Sequence, residues 1–190
     1  RQFSIPNPIA FFRLAAAIHK NWPALRKHCK RSPFSLTAWT FDENGDRALK
    51  ASVEFDDRIT HRMRVRANSS YILRADIARC FPSIYTHSVA WALLGKAKAK
   101  KNYSDSKLGN LLDVLLQSMQ DGQTIGIPIG QDTSRLVSEL ILSDIDAKLA
   151  KGQKLNGIRA IDDYEFGFRT MAAAESFLAR LQRELEGYEL

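Results

Sequence analysis

Gly157-Ile158-Arg159-Ala160-Ile161-Asp162-Asp163-Tyr164-Glu165-Phe166-Gly167-Phe168 is two short apolar runs with a pair of carboxylates between them. The runs predict a β-hairpin with the two acids at its tip. Adjacent like charges repel, and the flanking Ile and aromatic residues lower the local dielectric, so both acids stay ionised most easily beside a cation. A divalent metal is the obvious cation. A solvated turn also accounts for an Asp-Asp pair, and the chain holds its own control in Asp56-Asp57, which sits between Glu54 and Arg58 and reads as a charged surface segment.

Upstream of the hairpin, Thr124-Ile125-Gly126-Ile127-Pro128-Ile129-Gly130 is a glycine-spaced apolar turn. It leads into a helix with a polar first turn, Gln131 to Arg135, and one apolar face of Leu136, Val137, Leu140, Ile141, Ile145 and Leu149. Most of that helix reads as plain core. Gly126 and Gly130 are less ordinary, because they leave backbone open to close approach by a ligand. Further back, Tyr71-Ile72-Leu73-Arg74-Ala75-Asp76-Ile77 reads as a core strand ending in one acid, with Arg74 and Asp76 on one face by alternation. An Asp paired to that Arg is the simpler reading.

In Arg58–Arg66, Arg62, Arg64 and Arg66 alternate with Met63 and Val65, which predicts a strand with three arginines on one face. Such a face suits a triphosphate or a nucleic-acid backbone, and equally a solvated edge strand protected by charge. The remaining elements are local. After the extended Arg1–Pro8, helical spacing links Ile9, Phe12, Ala16, Trp22 and Leu25, with Pro23 a kink or boundary. Phe34, Leu36, Trp39 and Phe41 predict short strands punctuated by Ser32-Pro33 and Asn44-Gly45-Asp46. Ser83 is placed to cap a helix running through Tyr85, Val89, Trp91, Leu93 and Leu94 to Gly95, and Lys96–Lys101 reads as a solvated basic loop or a nucleic-acid contact. Two amphipathic helices complete the chain, one from Leu108 to Met119 and a last one through Met171, Ala174, Phe177, Leu178, Leu181, Leu185 and Tyr188.

Composition sets outer limits. The 190 residues are 45% hydrophobic, enough for one domain or a large lobe with a buried core. No apolar run approaches the roughly 20 residues needed to span a bilayer and no signal peptide is visible, so a cytoplasmic protein with no membrane partner is expected. Cys29 and Cys80 are too few for a disulfide framework and are expected to be reduced thiols; His19, His28, His61 and His87 do not cluster at ligand spacing. A net charge of +7 and a pI near 9.5 favour a polyanionic partner without identifying it. A start at Arg1 and an end inside a helical pattern suggest an excerpt of a longer chain.

A strand ending in one Asp, a glycine-flanked helix and a hairpin bearing two Asp can, in that order, place three carboxylates on one small sheet. That is the ligand set for two divalent metals about 3.5–4 Å apart. On these residues the sequence resembles the fingers and palm of a reverse transcriptase over nearly its whole length: Tyr71–His87, Gly126–Leu140 and Arg159–Phe168 match the three central polymerase motifs in order and spacing. Arg-Ala-Asp-Ile followed by Cys-Phe-Pro-Ser-Ile-Tyr-Thr-His, and Ile-Pro-Ile-Gly-Gln-Asp-Thr-Ser-Arg, look closest to bacterial defence-associated and abortive-infection enzymes, neighbours of the retron and group II intron types. The resemblance implies an α+β right-hand palm, a small antiparallel sheet backed by helices. Residues 1–70 would form the N-terminal part of the fingers and 71–190 the palm with inserted fingers helices, stopping before the thumb.

The implied activity is RNA-directed DNA polymerisation in bacterial antiviral defence. Its partners would be an RNA template, a DNA or RNA primer and dNTPs, and its cofactor two Mg²⁺ ions, with Mn²⁺ as an alternative. The family pattern assigns Asp76 and Asp162 as shared metal ligands, Ile77 as a carbonyl ligand and Asp163 as the second acid of the pair. It puts Phe81 at a steric gate against a ribose 2′-OH, Gly130 under the incoming nucleotide, and Arg62 or Arg64 on the triphosphate. Ile129, Gln131, Ala160 and Ile161 would border the nucleic acid. Two positions depart from the pattern. Ala160 stands where relatives usually carry an aromatic residue that supports the primer end, and Ile129 stands where retroviral enzymes have Gln. A template-independent or protein-primed polymerase, and a scaffold that binds nucleic acid without catalysis, are the alternative expectations; a metal-dependent nuclease is disfavoured because no nuclease motif accompanies the acids.

Overall fold

The computed structural model describes residues 5–45, 47–101 and 106–190; the expected extended opening from Arg1 to Ser4, and Asp46 of the Asn44-Gly45-Asp46 turn, lie outside them. In chain order the elements are α1 (Pro8–Lys20), α2 (Trp22–Cys29), β1 (Trp39–Phe41), β2 (Leu49–Ala51), α3 (Phe55–Ala67), β3 (Tyr71–Asp76), α4 (Cys80–Ser83) and α5 (His87–Leu94). They continue with α6 (Lys96–Lys101), α7 (Leu108–Ser118), α8 (Asp132–Ala150), β4 (Asn156–Ala160), β5 (Asp163–Phe168) and α9 (Met171–Glu186). The architecture is mixed α+β, with a two-stranded antiparallel ribbon and a three-stranded antiparallel sheet of order β3-β5-β4.

The three-stranded sheet has two unlike faces because side chains alternate along β5. Tyr164 and Phe166 are buried toward the helical core, where the Phe166 and Phe168 rings lie 4.4 and 5.3 Å from Phe177 of α9. Asp163, Glu165 and Gly167 point the other way. There α3 covers the Gly167 end, close enough that a side chain at Gly167 would collide with Ser69 and the Val65 carbonyl. The main core continues through α8, which is buried around most of its circumference, and draws residues from Ala10 to Tyr188, on both sides of residue 70.

Several expectations change. Arg58–Arg66 is helix, not strand: Asp56 and Asp57 in the first turn and Arg64 and Arg66 in the last complement the helix dipole, and the five-residue Arg/Met/Val alternation is too short to outweigh Arg's helix preference. Asp56 and Asp57 are exposed, as a surface segment requires. Strand β3 forms but lies at the sheet edge, so Tyr71 and Ile72 are exposed rather than core. In α1 the buried stripe is Ala10, Leu14 and Ile18 while Ile9, Phe12 and Ala16 face outward; an almost wholly apolar helix offers several stripes, and packing on α7 selects one. Met171 is likewise exposed at the start of α9.

Pro23 is a boundary, falling in the first turn of α2. Ser83 caps no helix, because α4 ends on it and α5 starts after Thr86; its hydroxyl donates to the Ala78 carbonyl instead. The Lys96–Lys101 run is the short helix α6 rather than a loop, with the Lys96 ammonium 4.0 Å from the Trp91 ring centre. Both cysteines are buried free thiols. Among the described residues no helix is long and apolar enough to cross a membrane.

These burials give a direct stability contrast. Leu140→Ala, at a position with no exposure, should cost about 2–5 kcal/mol in urea unfolding. Phe12→Ser, at 73% exposure, should stay within about 0.5 kcal/mol of wild type.

Candidate functional site

The hairpin forms as expected, with a finer placement of its acids. Ala160 pairs with Asp163 across a two-residue turn of Ile161 and Asp162, so Asp163 is the first residue of β5 and only Asp162 is in the turn. On the other side of β5, Asp163 is the register partner of Asp76. Directly opposed residues in an antiparallel pair share a face with Cβ atoms about 4.5–5.5 Å apart. Asp76, Asp162 and Asp163 therefore meet at one end of the sheet and line one cavity of about 440 Å³, whose wall also includes Phe55, Arg58, Ile59 and Arg62 of α3.

The turn is strained. Ile161 has φ +60°, a left-handed conformation that a β-branched residue rarely adopts; the first central position of such hairpin turns normally takes Gly. Both polar groups of its backbone are held from inside the protein. The Ile161 N–H donates to Thr37 Oγ1 at 3.2 Å, and its carbonyl accepts from Arg159 Nη1 at 2.8 Å. Arg159 is fully buried between two acids of α8: it reaches both carboxylate oxygens of Glu139 at 3.0 Å and donates through Nε to Asp146 at 2.8 Å. Thr37 also donates to Glu139, and Ser32 donates to Asp146 at 2.5 Å. Burial raises the Asp146 carboxyl above its ordinary range against the opposing pull of Arg159. For Arg159 burial acts to lower the pKa, but Asp146 and Glu139 outweigh it and hold the guanidinium charged.

A second cluster lies two residues further along β5 and borders the same cavity. Glu165, buried on the α3 face, accepts from Arg66 Nε at 2.7 Å and Nη2 at 3.1 Å, with Arg62 at 3.5 Å and Arg74 at 3.7 Å. Its hydrogen bonds to Arg66 lower the carboxyl below its usual range against the effect of burial. The reading of Arg74 as a structural partner is right in kind, but its acid is Glu165 and not Asp76. Among the described residues Asp76 and Asp163 have no ion-pair partner.

Asp76, Phe81 and Asp162 also line a second cavity, of about 690 Å³, which takes in Ile77, Arg79, Cys80, Gly126 and Ile129. Half-buried Phe81 thus stands between the two spaces. Burial, with Asp162 nearby, pushes the Cys80 thiol up to about 12, so it sits inert behind the acids. Ala160 and Ile161 line the first cavity beside Arg62. Arg64 is exposed and borders neither cavity, because in a helix it lies two residues, about 200°, round from Arg62. Gly130 and Gln131 border neither as well; the Gly130 carbonyl accepts from Arg47 at 2.8 Å and Gln131 precedes α8, where Asp132 fastens the helix to β2 by accepting from the Leu49 N–H at 3.2 Å.

Among the described residues no group of three or more His, Cys, Asp or Glu is arranged to hold a metal ion. Asp76, Asp162 and Asp163 thus share a cavity without forming a ready-made metal cage. A divalent ion there would have to be magnesium-like, keeping several waters and taking only one or two carboxylates from protein. The sequence reading missed Arg159, Thr37 and Glu165; the available signal was Glu139 and Asp146 inside an otherwise apolar helix, since two buried acids demand a buried cation. The chain matches no family model and no curated protein. Fold and site define a mixed α+β protein with an acidic, cavity-lining sheet end.

Breaking the buried triad should be costly. Arg159→Met leaves Glu139 and Asp146 unpaired and should lower stability by about 3–5 kcal/mol in urea unfolding. Arg159→Lys should recover only part, because an ammonium cannot form the two-pronged pairing. For Glu165, a carboxyl lowered from 4.5 on folding stabilises above that value and stops doing so as pH falls through its folded pKa. Urea midpoints measured from pH 7 to pH 3 should therefore fall more steeply for wild type than for Glu165→Gln, the two converging at the acid end.

Proposed function

We propose that this chain is the fingers and palm part of a reverse transcriptase, adding dNTPs to the 3′ end of a DNA or RNA primer on an RNA template. The observation that carries the reading is the in-register pairing of Asp76 with Asp163, with Asp162 in the adjoining turn and all three acids on one cavity. The small antiparallel sheet backed by α8 and α9, and the spacing of the three sequence motifs, support it. A bacterial antiviral role rests on the resemblance alone.

Asp76, Asp162 and Asp163, with the Ile77 carbonyl, would hold Mg²⁺ or Mn²⁺, which when bound supplies neutralisation of charge at the reacting phosphates. The chain's own residues do the rest. The Arg159 and Thr37 bonds keep the turn in one geometry, so its acids need not reorganise during the reaction. The Phe81 ring, between the two cavities, would crowd a ribose 2′-OH and favour deoxynucleotides. Arg62 lines the same cavity as the acids and is the fingers residue suited to the triphosphate; Arg64 is not, given its position on α3.

The test is primer extension with labelled dNTPs and Mg²⁺, with and without a primed RNA template. Template-dependent product is expected, and Asp162→Ala should reduce it by at least about 100-fold, the scale of losing one preorganised electrostatic group. Phe81→Ala should raise ribonucleotide use relative to deoxynucleotide use by about 10-fold or more. Product without template would replace the reading by untemplated synthesis, shortened input strands would replace it by a nuclease, and RNA binding with no product would leave a scaffold.

A further inference from the structure

Gln120 follows α7 and borders the second cavity together with Phe81, Gly126 and Ile127. Its side-chain nitrogen donates twice, to the Gly126 carbonyl at 2.6 Å and to the Gln123 carbonyl at 3.0 Å. Both acceptors are carbonyl oxygens, so the nitrogen of this amide, and not its oxygen, has to face them. The Gly126 carbonyl belongs to the same peptide unit as the Ile127 N–H, which donates to the Phe81 carbonyl at 2.9 Å. Because α4 is a single turn, the Phe81 carbonyl takes this donor from outside the helix. One peptide is therefore held by Gln120 on one side and holds the Phe81 backbone on the other.

The rest of the loop is stitched to residues 81–86. The Gly126 N–H donates to the Ile84 carbonyl and the Thr86 N–H to the Thr124 carbonyl, both at 2.8 Å, and Tyr85 bridges Ile125. Gly126 is the loose joint. At φ +86°, with a Cβ position only 3.2 Å from the Pro82 carbonyl oxygen, it admits no side chain without strain, and a glycine resists rotation of the following peptide least. The Gln120 amide supplies the restraint that the glycine lacks. We infer that Gln120 is a positioning residue for Phe81: by fixing the peptide between Gly126 and Ile127 it sets where the Phe81 ring stands between the two cavities, and so how closely a nucleotide sugar fits against it. The nucleotide rests on the function proposed above; the hold on Phe81 rests on the hydrogen bonds alone.

The experiment compares wild type with Gln120→Ala and Gln120→Glu; the second is close to isosteric but, ionised, has no donor. Two readouts are taken on the same proteins: amide hydrogen exchange by NMR, and the ratio of ribonucleotide to deoxynucleotide kcat/KM in primer extension. In both variants the Ile127 amide should exchange about 2- to 10-fold faster, the scale of one hydrogen bond, while the amides of α8 keep their rates. The ribonucleotide ratio should rise by a similar factor. Placed on Phe81→Ala, Gln120→Glu should change the ratio by less than about 1.5-fold, because the ring it positions is gone. An unchanged Ile127 exchange rate would overturn the inference whether or not the protein is active. An unchanged ratio in Gln120→Glu, or an equal rise with and without the Phe81 ring, would overturn the role in sugar discrimination. If wild type makes no product, the proposed function fails, and the exchange rate still decides the hold on Phe81.

Discussion

The buried pairing of Arg159 with Glu139 and Asp146 is the constraint on which the rest of this structure depends. Placing one guanidinium and two carboxylates in a core is unfavourable by several kcal/mol per ion before they attract one another, and a well-packed apolar trio would be at least as stable. The network's value lies in what it fixes. Arg159 sits in β4, its two acids in α8, and its last hydrogen bond goes to the Ile161 carbonyl. One side chain thus ties strand, central helix and turn together. Thr37 adds the segment before β1 by accepting from the Ile161 N–H and donating to Glu139.

With the turn fixed, the sheet acquires its polarity. Alternation on β5 sends Tyr164 and Phe166 into the helices and leaves Asp163 and Glu165 on the opposite face. Glu165 is buried under α3 and shared by arginines from two elements, so it clamps that helix to the sheet. Asp163, two residues earlier, faces the same cavity without an ion-pair partner among the described residues. Two acids of the same strand and face therefore have different roles, decided by which of them the arginines of α3 and β3 reach.

Much of this was legible from the sequence because the signals were long. Helices α8 and α9 carry their apolar periods over four or more turns, and the hairpin's two apolar runs needed only their partner. Short signals misled. Five alternating residues in Arg62–Arg66 imitate a strand, yet Arg62 and Arg66 share a helical face that reaches a single glutamate. In α1 nearly every residue is apolar, so no one stripe stands out until α7 packs against it. Arg159 was hidden for a different reason. A lone charge in a strand reads as solvent-facing, and its acids lie 20 and 13 residues away on another element, where only the fold brings them together.

Charge alone would not lift the acidic sheet end above an ordinary surface. Two carboxylates about 5 Å apart in water repel by only about 0.8 kcal/mol, and hydration absorbs that easily. The backbone beside them is harder to account for. A solvated hairpin has no use for Ile in a left-handed conformation, which costs of order 1–3 kcal/mol where Gly or Asn would fit freely. Nor does it need a buried ion triad to hold that conformation. Strain persists only where surrounding structure over-determines it, and here that surrounding structure is Arg159 and Thr37. Both act on Ile161, the residue immediately before Asp162, so the rigidity is delivered where the three acids meet. This coincidence of strain, support and carboxylates supports a site of fixed geometry over a solvated turn.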